Sequence, residues 1–249
     1  MKILWPESIM NFFIDVTMID KRNNSFKHIA KTAINRSAVY GILSEVYRSE
    51  PTASLMNQIN DPWFQRVLYN LGVRFEKKFF DRTRKNVLED LAIEYTRLFL
   101  GPGEHISPHE SIHHERDDGD WGILWGASTY EVRKFYNSTG VMFETTYHGI
   151  PDEISVELEF MHHVVRREAD AWKETNSEGA LFCIRIEKKF IKEHLIKWVP
   201  IFCDRVIDLT QSVFYREIAR LTKDFVLQEI NLLNNKAFSK DRKSQCALV

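Results

Sequence analysis

His105, His109, His113 and His114 are interleaved with the carboxylates of Glu104, Glu110 and Glu115. Imidazole and carboxylate are ligands for zinc or iron, and a spacing of four residues sets two ligands on one helix face. Of all the residue groupings in the chain, this one comes nearest to reaction chemistry. It defines one reading of the chain, a metal-dependent enzyme on a helical bundle using loop His and Glu residues. The local details oppose it. Residues 110–114 read Glu-Ser-Ile-His-His, not His-Glu-x-x-His, and Gly103 and Pro108 interrupt any helix that would align the ligands. Solvated loop histidines are the simpler account, and no metal is expected. His162 and His163 are adjacent on a predicted helix, so they point about 100° apart and do not make a ligand pair.

Other catalytic patterns are missing from the sequence. There is no Gly-x-Ser-x-Gly elbow, no GxGxxG and no Walker sequence, because Gly101-Pro-Gly103 lacks the Gly-Lys-Ser/Thr that would follow. Cys183 and Cys203 lie in apolar helical patterns and read as inert core thiols, with Cys246 in a polar tail. No catalytic residue and no cofactor is therefore expected. Arg166-Arg167 lies in mid-helix and reads as a solvated face. Asp117, Asp118 and Asp120 precede Trp121 and Trp125. Carboxylates beside aromatic rings suit a basic, partly apolar peptide. The competing account is a polar loop followed by core tryptophans.

Composition is that of an ordinary globular protein. The 249 residues are 44% hydrophobic and 28% charged, with a net charge of −1. That balance gives no reason to expect nucleic acid as a partner. Three scattered cysteines without a CxxC fit a reducing compartment. The first twenty residues carry Glu7, Asp15 and Pro6 among their apolar side chains, a poor secretory signal, and no run of about 18 apolar residues suggests a membrane span. The cytoplasm is the expected location.

The elements that must hold these residues are helical. Gly and Pro are scarce, at 10 and 7 residues, too few for a strand-and-turn architecture. Ala38, Val39, Ile42, Leu43, Val46 and Tyr47 form one stripe ending at Pro51. Val87, Leu88, Leu91, Ala92, Tyr95, Leu98 and Phe99 form another, ended by Gly101-Pro102-Gly103. Residues 101–120 read as loop. Ser128 or Thr129 is expected to cap the next helix, with Glu131 completing a capping box. Asp152 opens a helix with Ile154, Leu158, Met161 and Val165 on one face, as N-cap or first-turn carboxylate. That helix runs to about Thr175. Phe182, Ile186, Phe190 and Ile191 mark another, Pro200 a junction, and Ile201 to Phe225 the last. The expectation is a single all-α domain, a helical bundle over 34–236, with an N-terminal extension over 1–33 and a polar tail over 237–249.

Three anchors in order, Tyr95-Thr-Arg-Leu-Phe99 with Gly101-Pro-Gly103, Pro108-His-Glu-Ser111, and Ile150-Pro-Asp152 leading into Glu157-Leu-Glu-Phe-Met161, resemble the TorD/DmsD/NarJ family of redox-enzyme maturation chaperones. Phe190-Ile-Lys-Glu-His-Leu195, Trp198-Val-Pro200 and Phe214-Tyr215 extend the resemblance, which covers roughly residues 36–227. It implies an all-helical fold of about ten helices and no catalysis. It implies a partner, the apo catalytic subunit of a molybdopterin oxidoreductase. The subunit's N-terminal peptide, often a twin-arginine signal, would be held until cofactor insertion and kept from premature export. It also implies a monomer or a domain-swapped dimer, with Gly149-Ile-Pro151 as the exchange hinge. The peptide-binding residues it implies are Tyr95, Leu98, Phe99, Pro108, Glu110, Ser111, Asp152 and Glu153. Tyr95 can equally be core, and Asp152 can equally be only a cap. Where the family's hinge has His after Asp, this chain has Glu153, which would attract arginine directly.

Overall fold

The structure, a computed structural model, describes residues 23–70, 84–140 and 149–234. Residues 1–22 of the expected extension and the whole expected tail, with Cys246, lie outside the described residues. The described chain forms ten α-helical segments: α1 (Asn23–Arg48), α2 (Ala53–Ile59), α3 (Pro62–Asn70), α4 (Arg84–Tyr95), α5 (Glu110–His113), α6 (Ala127–Ser138), α7 (Ile154–Lys173), α8 (Ser177–Phe190), α9 (Ile196–Leu209) and α10 (Val213–Asn234). Two π-helical turns, Thr96–Leu100 after α4 and Ile191–Leu195 between α8 and α9, complete the set. No strand occurs among the described residues; a lone antiparallel bridge joins His109 to Glu153. The fold is all-α, as the periodicity predicts.

The centre of the bundle is α7. Ile154, Leu158, Met161, Val165, Ala169 and Trp172, spaced by three and four, are fully buried. Val156, Phe160 and Val164 widen the stripe, so α7 is covered on most sides. Each such side chain contributes roughly 1.5–3 kcal/mol of burial. α1 lies along α7 in the most extensive helix pairing, α8 covers another side, and α9 packs on α10.

So deep a helix must also satisfy its polar residues. Glu168 on α7 meets Arg36 of α1 at 2.8 Å, and Arg36 further binds Glu229 of α10 and Glu187 of α8, both at 2.6 Å. Tyr40 donates to Glu229, and the Trp172 indole to Glu168. One guanidinium thus ties four helices together in the interior. The cluster draws on residues up to 193 positions apart, so no local pattern announces it.

Several local expectations change. Pro200 is inside α9, and the break falls at Thr210–Ser212 instead. Leu195 is itself helical, so α9 continues the π-turn and the proline forfeits one ladder hydrogen bond, a loss set against the burial of Trp198, Val199, Phe202 and Cys203 around it. Phe182 and Ile201, assigned to core stripes, are exposed. α6 starts from Gly126, not Ser128 or Thr129; Glu131 pairs with Arg116 rather than closing a capping box. The stretch 101–120 contains the one-turn helix α5. Cys183 and Cys203 are buried as expected, and Arg166 and Arg167 are exposed.

Candidate functional site

α5 and the start of α7 are stitched together by backbone. The Glu110 N–H donates to Asp152 O at 2.9 Å, and the Ile154 N–H to Pro108 O at 2.8 Å. The Asp152 carboxylate is completely buried and accepts from the Ser111 N–H at 2.8 Å and the Thr129 hydroxyl at 3.0 Å. It therefore clamps α5 to α6. The expected N-cap role for Asp152 is corrected: the cap position of α7 belongs to Glu153. Asp152 faces away from its own helix because its main chain is committed to the bridge with the α5 segment.

Glu153 is half-buried, and its Oε1 accepts from the Ser155 hydroxyl at 2.9 Å. Burial lifts its carboxyl above the usual carboxylate range, against the opposing pull of Ser155 and Arg48. Pro108 is likewise half-buried.

Glu110 is the hub of a second interior network. His114 Nδ1 lies 2.7 Å from Oε1 and His194 Nδ1 3.0 Å from Oε2. The π-turn after α8 brings His194 into the core to make this contact. Burial works against ionisation of Glu110, but the two imidazole hydrogen bonds prevail and hold it below the usual range. Glu157 goes the other way: burial, then the nearby charges of Glu110 and Asp152, raise it well above the usual range. It accepts from the Trp198 indole at 3.1 Å, and among the described residues its Oε1 has no hydrogen-bond partner.

These contacts occupy the histidines of the metal reading. His113 is buried, with Nε2 2.7 Å from Ser107 O, and stacks on Trp198 at 6.0 Å; His109 Nδ1 is 2.9 Å from the Ser107 hydroxyl. Of the four loop histidines only His105 is exposed, so the expectation of solvated loop histidines holds for that one alone. Among the described residues, no three His, Cys, Asp or Glu side chains are arranged to hold an ion.

Tyr95, Leu98 and Phe99 lie in the core. The π-turn turns both Leu98 and Phe99 inward, and Gly101, at φ 79°, ends it in a conformation that favours glycine. Tyr95 donates to Tyr47 O at 2.9 Å, and its ring meets Phe99 edge-on at 5.1 Å. Phe99 in turn stacks on Phe202 at 6.0 Å. Of the eight residues implied by the resemblance, Tyr95, Leu98, Phe99, Glu110, Ser111 and Asp152 are interior, and Pro108 and Glu153 reach the surface. The structure does gather Pro108, Glu110, Ser111, Asp152 and Glu153 at one junction, although 41 residues separate Ser111 from Asp152.

Sequence reasoning missed a concavity formed among the described residues. A cavity of about 880 Å³ opens between the C-terminal half of α1, α2, the start of α3 and α7. Ile42, Leu55 and Phe64 give it an apolar floor, and Glu45, Glu50, Asp61 and Glu159 line it with carboxylates. Its cation Arg48 is paired to Glu159 at 2.8 Å. Arg48 also acts electrostatically on Glu153, which connects this cavity to the α5–α7 junction. Glu45 on the exposed side of α1 and Glu50 in the turn after it were the available signal; the site's assembly from four helices hid it.

The fold and site define an all-helical protein with a carboxylate-lined, apolar-floored recess and interior histidines spent on structure. Residues 52–204 match the family described as nitrate reductase delta subunit, and the chain belongs to that family. The chain is 24% identical to the chaperone protein TorD of Vibrio cholerae serotype O1 over 152 residues, which is 61% of this chain and 66% of that protein. It is 25% identical over 217 residues to TorD of Shewanella pealeana, covering 81% of this chain and 90% of the relative. It is 26% identical over 139 residues to the perchlorate reductase assembly chaperone protein of Dechloromonas aromatica, covering 53% and 58% of the two chains. These relatives are named as chaperones, not as enzymes.

Proposed function

We propose that this chain is a non-catalytic cytoplasmic chaperone for the apo catalytic subunit of a molybdopterin oxidoreductase. It grips the subunit's N-terminal, twin-arginine-type peptide, keeps the subunit open for cofactor insertion and prevents premature export. The observation that carries this reading is the recess between α1, α2, α3 and α7, with carboxylates around an apolar floor. A leader peptide offers the complementary surface, guanidinium groups followed by an apolar stretch. Arginine binds carboxylates through paired N–H donors, and the apolar stretch docks as in helix-in-groove recognition. Family membership and the chaperone names of the relatives support it.

Glu153 and Pro108 are proposed as direct contacts beside that recess, since both reach the surface. Asp152, Ser111 and Glu110 serve the peptide indirectly by fixing the α5–α7 junction. Tyr95, Leu98 and Phe99 serve the fold as core residues, Tyr95 bonding Tyr47 and Phe99 stacking on Phe202. Among the described residues no helix is long and apolar enough to cross a membrane.

The test is affinity capture of the tagged chain from its native host, with mass spectrometry of what it holds. The expected capture is a molybdopterin oxidoreductase catalytic subunit lacking its cofactor. Capture of the cofactor-loaded subunit to the same extent, or of no such subunit, overturns the proposal.

A further inference from the structure

The loop between α5 and α6 displays its apolar residues instead of burying them. Trp121 is 42% exposed, Ile123 67%, Leu124 41% and Trp125 62%, and Tyr130 on the first turns of α6 is 69% exposed. The alternative of core tryptophans is therefore excluded. Soluble proteins seldom leave so many large apolar side chains together in water without an occupant.

The display is held by polar contacts at the base of the loop. Arg116 binds both Asp118 and Glu131 at 2.7 Å. Asp118 accepts from the Asp120 N–H at 3.0 Å, and Asp120 from the Ala127 N–H at 3.1 Å. The Gly122 N–H donates to Ser111 O at 2.8 Å, which fastens the loop to α5. Trp125 sits at φ 65°, a left-handed backbone that a bulky residue rarely adopts. Such strain persists only where the surroundings impose it, and here it aims an indole at solvent.

Charge identifies the occupant. Residues 115–131 carry Glu115, Asp117, Asp118, Asp120 and Glu131 against Arg116 alone. We infer that this loop is a second docking surface, for an apolar segment of the client polypeptide flanked by lysine or arginine. This rests on the chaperone reading, and it adds a contact that shares no lining residue with the recess. The indole faces take the apolar side chains and the flanking cations, and the carboxylates set the sign of charge that is accepted.

The probe is a synthetic peptide of two arginines followed by ten alternating leucines and alanines, compared by calorimetry with the same peptide carrying two glutamates. The wild-type chain is expected to bind the arginine peptide and not the glutamate one. Added to the Glu45→Lys background, which weakens the recess, the triple variant Trp121→Ser, Leu124→Ser, Trp125→Gly is expected to bind the arginine peptide at least tenfold more weakly than that background, with unchanged thermal stability. The double variant Glu115→Gln, Asp117→Asn, at carboxylates not used in the loop hydrogen bonds above, is expected to lose affinity and salt dependence together. Equal binding by the Glu45→Lys background with and without the triple variant, no binding by wild type, or equal affinity for both peptides overturns the inference. So does a wild-type dimer that the triple variant converts to monomer, because the patch would then be a contact between copies. If the triple variant still captures the catalytic subunit as wild type does, the loop is not the surface and the chaperone reading stands. Capture of no subunit by wild type removes that reading itself.

Discussion

Replacing Arg36 by methionine leaves three buried glutamates facing one another without their cation. Arg36 is 1% exposed, and so is Glu229, while Glu168 and Glu187 are fully buried. Its guanidinium donates to Glu229 through Nε at 2.8 Å and Nη2 at 2.6 Å, to Glu168 at 2.8 Å and to Glu187 at 2.6 Å. Methionine keeps much of the apolar stem, so the loss reports the charge and hydrogen bonds more than the packing. Removing one partner of a buried ion pair costs about 3–5 kcal/mol, because the remaining charges stay desolvated. For a chain of this size each kcal/mol is worth roughly 2–4 °C, so the melting temperature should fall by roughly 6–20 °C. Urea unfolding at pH 7 followed by circular dichroism measures the loss directly. The deficit should shrink at pH 5, where protons can neutralise the abandoned carboxylates. A loss under about 1 kcal/mol at pH 7, or a deficit that does not change with pH, would refute the picture of a buried cation holding four helices.

Three further outcomes follow from other sites. Burial, opposed by Arg36 and assisted by Glu168 and Glu229, holds the Glu187 carboxyl at about 8 rather than 4.5. The folded state therefore binds the extra proton, and this contribution to stability is complete below about pH 4.5 and lost as pH rises through about 8. Glu187→Gln should flatten the fall in stability between those limits, measured by urea midpoints across the range; an unchanged slope would mean that Glu187 titrates normally. Asp152→Ala should cost about 2–4 kcal/mol by orphaning the Ser111 N–H and the Thr129 hydroxyl, whereas Glu153→Ala should cost under about 1 kcal/mol yet weaken an arginine-bearing leader peptide. Calorimetric affinity unaltered in Glu153→Ala would remove that residue from the site. Glu45→Lys should weaken the same peptide roughly tenfold, about 1.4 kcal/mol, mostly at low salt; full affinity at low ionic strength would mean the recess is not where the arginines bind.

The stripe from Val87 to Phe99 was readable because a 3.6-residue period leaves a visible trace in one dimension. Its end at Gly101 was readable because glycine alone tolerates that backbone cheaply. The start of α7 was legible to within a few residues, yet the role of Asp152 was not. Its partners lie on α5 and α6, and nothing near position 152 distinguishes a carboxylate that caps its own helix from one that reaches across. Pro200 misled for a related reason. Proline costs a helix one ladder hydrogen bond, and whether packing carries the helix through that loss depends on tertiary contacts that the residues near position 200 do not reveal.

Residue pattern alone determined that the chain is helical, where most of its helices run, which family it resembles and that Cys183 and Cys203 are buried, because those properties depend on neighbours a few positions away. Tertiary structure alone decided that Tyr95, Leu98 and Phe99 are core, that Trp121 and Trp125 face water, that Arg36 anchors three glutamates, and that four helices enclose a carboxylate-lined recess. Exposure, charge pairing and cavity shape depend on which distant segments meet, and a local pattern carries no record of that meeting.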